Sequence, residues 1–112
     1  MSLDAGFARV KAAMQAAGCA GVEEGSSYGT PALKVKGKLI CRMKDAETLV
    51  LRCLSDDKAL LMELQPDIFF ETDHYRGYPL VLVRLTAIDD AKLALELGRA
   101  WREVAPKRLL EG

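Results

Sequence analysis

The sequence is poor in the residues that build metal and redox centres. It contains one histidine, His74, and three cysteines, Cys19, Cys41 and Cys53. No two cysteines are close enough for a Cys-x-x-Cys pair or a zinc-ligand spacing, so no metal site is expected. An odd, scattered set also excludes a fully paired disulfide framework, and a reducing, cytoplasmic setting is expected. Cys41 and Cys53 fall in apolar runs, where a thiol acts as a small hydrophobe. No hydrophobic stretch approaches the roughly 18 residues of a membrane span, and the first residues lack the basic-then-apolar pattern of a signal peptide. A glycine-rich phosphate loop is missing, since Gly37 stands alone between Lys36 and Lys38. No serine or cysteine sits in a nucleophile motif, so a triad around His74 has no support, and neither a catalyst nor a bound cofactor is expected. Charge of one sign is absent too: 16 basic and 16 acidic residues cancel. Attraction to a polyanion must therefore come from where the cations sit.

Of the 112 residues, half are hydrophobic and 29% are charged, the balance of a globular protein rather than a disordered one. That length supports one core. No linker or repeat interrupts it, so residues 1–112 read as a single domain. Leu3, Phe7, Val10 and Met14 recur at helical spacing and predict a helix from about Leu3 to Ala17, stopped at Gly18. Val22 to Ser26 suits a short strand, and Tyr28-Gly29-Thr30-Pro31 a turn or loop. Alternation then begins: Leu33 and Val35 face one way, Lys34 and Lys36 the other. Lys36-Gly37-Lys38 makes a hairpin turn, after which Leu39, Cys41 and Met43 resume the apolar face opposite Arg42 and Lys44. Leu49, Leu51 and Cys53 extend that face with Arg52 outward, completing a three-strand antiparallel meander.

Ser55 is expected to cap a short helix with Leu60, Leu61 and Leu64 as its buried stripe, ended by Pro66. Ile68 to Thr72 is a brief strand or extended piece and Asp73 to Gly77 a loop. Leu80 to Leu85 reads as a central strand, apolar on both parities except at Arg84. Thr86 and Asp89 resemble a capping pair for the last helix. Leu93, Leu97, Ala100, Trp101 and Val104 line one side of it; Lys92, Glu96, Arg99, Arg102 and Glu103 line the other. The order is that of an α+β fold: an antiparallel sheet of about five strands, N- and C-terminal helices on one face, and a short helix between strands.

Three segments carry a family resemblance. Tyr28-Gly29-Thr30-Pro31-Ala32-Leu33-Lys34-Val35-Lys36-Gly37-Lys38 resembles the YG-x-P-x-F-K-V-x-G-K segment of MmcQ/YjbR proteins. Phe69 to Leu85 is similar to their aromatic loop and following strand, and Trp101 to Leu109 to their closing helix and tail. The resemblance covers most of the chain from about residue 22 and implies a frataxin-like (CyaY-like) fold with a DNA-binding role. Where the family strand carries a tryptophan, this chain has Tyr78-Pro79. Frataxins bind iron through an acidic first helix. The first helix here has one acid, Asp4, against Arg9 and Lys11, too few oxygen ligands for a hard cation.

Two clusters carry the functional expectation. Lys34, Lys36, Lys38, Arg42 and Lys44 occupy the stretch after Pro31 with no acidic residue among them. Strand alternation should bring them to one face, joined by Arg52 and Arg84, with Arg76 from a nearby loop. The acids gather elsewhere, at Asp56, Asp57, Glu63, Asp67, Glu71 and Asp73. Such a ribbon suits a phosphate backbone and implies weakly sequence-specific DNA binding, because base-reading side chains are scarce on it. A solvated face whose lysines guard a sheet edge is the competing explanation. The second cluster is Tyr28, His74, Tyr75 and Tyr78, beside Arg76. In loops, such residues stack bases, hold a small anion or engage a protein partner, or simply pack on their own sheet. Ile40 and Val50 share the parity of the basic residues and would give an adaptor its apolar patch.

Overall fold

Two adjacent residues with positive φ begin each of the first two hairpin connections. Tyr28 and Gly29 lie at φ 52° and 78°, and Lys36 and Gly37 at 51° and 78°. These are two-residue turns of the mirror-image type I′, whose twist matches that of the flanking strands. Tyr28-Gly29 is therefore a tight turn, the first of the two alternatives read from the sequence. In the computed structural model, which describes residues 2–111, these turns join β1 (Val22–Ser27) to β2 (Thr30–Val35) and β2 to β3 (Lys38–Met43). The strand β4 (Thr48–Arg52) follows, so the meander has four strands, one more than expected. Completing the sheet are β5 (Phe69–Phe70) and β6 (Leu80–Arg84), in the antiparallel order β1-β2-β3-β4-β6-β5. Six strands form instead of about five because both short segments, around Val22 and Phe69, pair with a neighbour.

The helices α1 (Leu3–Ala16) and α3 (Asp90–Val104) cover one face of this sheet. Phe7, Val10 and Met14 of α1 join Leu93, Leu97 and Trp101 of α3 over Leu33, Val35, Met43, Leu49, Leu51, Val81 and Val83. Each such side chain, fully buried, contributes about 2 kcal/mol. Trp101 lies on the buried side of α3 as expected, and its indole N–H donates to the Ala20 carbonyl at 2.8 Å. Ser2 caps α1 by accepting from the Ala5 N–H. Asp89 alone caps α3, accepting from the Lys92 N–H at 2.7 Å; the expected pairing with Thr86 does not form because the helix starts four residues later. Arg9 ties the two helices: it pairs with Asp90 at 2.7 Å and donates to the carbonyls of Leu85 and Ile88. The chain closes with α4 (Lys107–Glu111).

Three local readings are corrected. The register of β2 and β3 slips between Leu33 and Lys34, where Leu33 faces Cys41 but Lys34 faces Leu39. This bulge turns Ile40 into the main core beside Cys41 and sends Leu39 to the opposite face. With Val50 also covered, by Tyr75 and Leu82, the expected Ile40–Val50 patch does not exist. In α2 (Ser55–Leu64), Leu60 and Leu64 are 52% and 68% exposed, and Lys58 is buried with Leu61 instead. Ser55 is already helical and makes no cap. On α3, Glu96 belongs to the buried side, where it pairs with Lys92 at 3.0 Å and Arg99 at 3.2 Å.

Left-handed backbone is unfavourable for a non-glycine residue by about 1 kcal/mol or more, and Asn-Gly is the favoured pair for this turn. Tyr28→Asn should therefore raise stability by about 1 kcal/mol, read as a later urea midpoint with an unchanged slope. An earlier midpoint would mean that the ring stabilises more than the backbone strain destabilises. Burial pushes the Cys41 thiol from 9.0 up to about 12. Its folded pKa lies above the unfolded one, so this contribution is complete below pH 9 and is lost as pH rises toward 12. Cys41→Val should make the alkaline decline shallower by at most about 1.4 kcal/mol per pH unit. Identical alkaline slopes for the two proteins would refute the buried-thiol account.

Candidate functional site

On the opposite face of the sheet, Val50 of β4 and Leu82 of β6 form a second, smaller apolar cluster with Tyr75. Its cover is the connection between β5 and β6. There Asp73–Tyr75 forms a single 3-10 turn rather than an open loop, and Tyr75 is buried against Val50 and Leu82. Where this connection meets β3 and the β1–β2 turn, a concavity of about 280 Å³ opens, lined by Tyr28, Leu39, Arg42, His74, Tyr75, Tyr78 and Leu80. The bulge delivers Leu39 to it, and the register of β2 and β3 places Lys34 directly opposite Leu39.

Arg42 sits among the rings. Its Nη2 donates to the Tyr75 hydroxyl at 2.5 Å, and its Nη1 to Thr30 Oγ1 at 3.4 Å. Its guanidinium carbon stands 5.1 Å from the centre of the Tyr28 ring. Tyr28 is 88% and Tyr78 59% exposed. His74 meets Tyr75 edge-on, with ring centres 4.9 Å apart at 84°. Exposed aromatic faces around a fixed planar cation offer stacking to a flat ring and hydrogen bonds to an anion. The sequence placed Arg42 with the lysines and the tyrosines in a separate group, whereas the fold makes them one site.

Lys58, absent from the sequence-based candidates, holds this site together. Its Nζ donates to the carbonyls of Tyr75 at 2.9 Å and Tyr78 at 3.0 Å, and pairs with Glu71 at 3.3 Å. One ammonium thus pins both ends of the turn that carries the tyrosines. Its spacing of three from Leu61 was the available signal, obscured by the neighbouring Leu60.

The basic residues divide. Among the described residues, no salt bridge engages Lys34, Lys36, Lys38 or Lys44. Lys36 belongs to the turn and Lys38 is paired with Val35, so the two mark the hairpin tip rather than the face bearing Arg42. Glu23 of β1 lies opposite Lys34, and Asp45 follows Lys44. Arg52 leaves the expected ribbon for Glu103 of α3 at 3.6 Å; burial holds that carboxyl above its ordinary range, opposed by the Leu54 N–H and Arg52. Arg76 pairs with Asp73 at 2.9 Å. Arg84 lies 3.9 Å over the Phe70 ring and donates to the Pro66 carbonyl at 3.1 Å. The expected single face of eight cations is therefore a smaller set on β2–β3, because strand ends let the arginines reach acids, carbonyls and rings nearby.

A larger groove of about 470 Å³ between α1 and β1 is lined by Lys11, Met14, Gln15, Cys19, Gly21, Val22, Glu24 and Leu33. Lys11 is paired with Glu24 at 3.2 Å, and partial burial raises the Cys19 thiol. The smaller concavity is the better candidate because several rings and one arginine converge there. Among the described residues, no group of His, Cys, Asp and Glu is placed to hold a metal ion, and no helix is long and apolar enough to cross a membrane.

Removing one partner of a buried ion pair is destabilising by about 3 kcal/mol. Lys58→Met should lower stability by that order and loosen the tyrosines, read by thermal unfolding and by hydrogen exchange across residues 71–78. Unchanged exchange in this segment would contradict the pinning role.

No family description matches this sequence, and no solved structure matches it. Uncharacterised proteins of Mycobacterium tuberculosis and Mycobacterium bovis are similar to it, each 41% identical over 54 residues, which is 48% of this chain and 42% of theirs. The matched segment thus spans less than half the length of these relatives.

Proposed function

We propose that this domain binds nucleic acid with little sequence preference, with phosphates contacting the β2–β3 hairpin. The observation carrying this reading is the acid-free run of Lys34, Lys36, Lys38, Arg42 and Lys44, whose four lysines make no salt bridge among the described residues. The likeness of Tyr28 to Lys38 to MmcQ/YjbR proteins supports it. Arg52, Arg76 and Arg84 are left out, since each already serves another contact. The role is binding rather than catalysis: His74 lines the concavity without a hydrogen-bonded acid or base beside it. A cytoplasmic location belongs to the same proposal. The exposed rings of Tyr28 and Tyr78 favour a second reading, an adaptor that takes a protein partner through the connection around Tyr75.

With about four phosphate contacts, binding to duplex DNA should weaken with a log–log salt slope near −4. Replacing Lys34, Lys36 and Lys38 together by Gln should weaken binding and flatten that slope by about one per lysine. Fluorescence anisotropy at two salt concentrations reads both effects. Wild-type affinity in the triple variant at low salt would reject the hairpin as the contact surface.

A further inference from the structure

We infer that the concavity between Tyr28, Tyr75 and Tyr78 captures one unpaired nucleobase, so the domain prefers single-stranded nucleic acid to duplex. This inference rests on the nucleic-acid reading above and adds the element that reading lacks, a contact to the base. Tyr28 is the first observation. It occupies a left-handed position, φ 52°, at the tip of a turn that asparagine would fill with less strain, and its ring is 88% exposed. A strained residue whose side chain buries little points to a role outside folding.

The remaining geometry defines the ligand. Tyr78 is 59% exposed across the same opening, while Tyr75 is fixed by its hydrogen bond from Arg42. A volume of about 280 Å³ falls at the lower end of ligand sites, suiting one flat ring system. Arg42 in the lining disfavours a cationic guest and provides donors for the carbonyl and ring-nitrogen acceptors of a base. Lys34 lies opposite Leu39 at the margin, so a cation is at hand for a phosphate that flanks the base. A paired base is held in its stack and reaches such a site only by being flipped out. An unpaired one enters freely. The chemistry is shared by a base within a strand and by a free nucleotide.

The test compares three probes by anisotropy or tyrosine fluorescence: a labelled single strand, a blunt duplex of equal length, and uridine monophosphate. The single strand should bind about tenfold more tightly than the duplex, and Tyr28→Ala should remove most of that difference. Tyr28→Phe should restore it, and the exposed position keeps both variants folded, as circular dichroism will verify. Equal affinities, with Tyr28→Ala silent, overturn base capture and leave the hairpin reading standing. Binding of uridine monophosphate alone, sensitive to Tyr28→Ala, keeps the base site but overturns the hairpin reading and the strand preference. No binding of any probe overturns both.

Discussion

Both long helices lie on one side of the sheet, and that asymmetry constrains the rest of the molecule. The apolar residues of β4 and β6 that point the other way, Val50 and Leu82, still have to leave water. A connection of nine residues between β5 and β6 does this by laying Tyr75 across them. So short a cover has little apolar surface to hold it down. Polar contacts complete the attachment: Lys58 binds two of its carbonyls from below, and Arg42 binds the Tyr75 hydroxyl from the sheet. The concavity is a by-product of this arrangement, formed where the cover stops short of β2 and β3.

The same contacts explain why a neutral chain can present a local charge. Several arginines and lysines are consumed internally. Arg9 closes the start of α3, Lys58 anchors the connection, and Lys92 and Arg99 neutralise the buried Glu96. Arg52 and Arg84 lie at strand ends, within reach of Glu103 and of the Pro66 carbonyl. Among the described residues, Lys34, Lys36, Lys38 and Lys44 make no salt bridge, and these four lie together on and beside the β2–β3 hairpin. Backbone strain is concentrated there too, with Tyr28 and Lys36 the non-glycine residues at positive φ among the described residues.

Much of the fold was legible because it rests on local periodicity. Helical spacing from Leu3 and from Leu93, strand alternation around Leu33 and Leu49, and Gly37 in its turn all read correctly. The misreadings occur where three or more apolar residues run together. In Leu39-Ile40-Cys41 either parity is apolar, so a bulge that inverts Leu39 and Ile40 leaves no trace in the pattern. In Leu60-Leu61 the same ambiguity hid the true buried face, which includes Lys58. A buried lysine satisfies no hydrophobic pattern and becomes visible only with the carbonyls that receive it. The candidate site was half legible: its residue types were named, but Arg42 and the tyrosines were assigned to different groups.

By itself, then, the sequence determined the kind and order of elements, the sidedness of the two long helices and the acid-free stretch from Lys34 to Lys44. These follow from spacing along the chain, which side-chain burial and backbone preference act on directly. Only the tertiary structure decided which cations stay unpaired, that Lys58 anchors the aromatic turn, and that Arg42 stands between Tyr28 and Tyr75. Those outcomes depend on register and on contacts between residues far apart in the chain. A one-residue slip in pairing exchanges the two faces of a strand, and nothing local in the sequence specifies that slip.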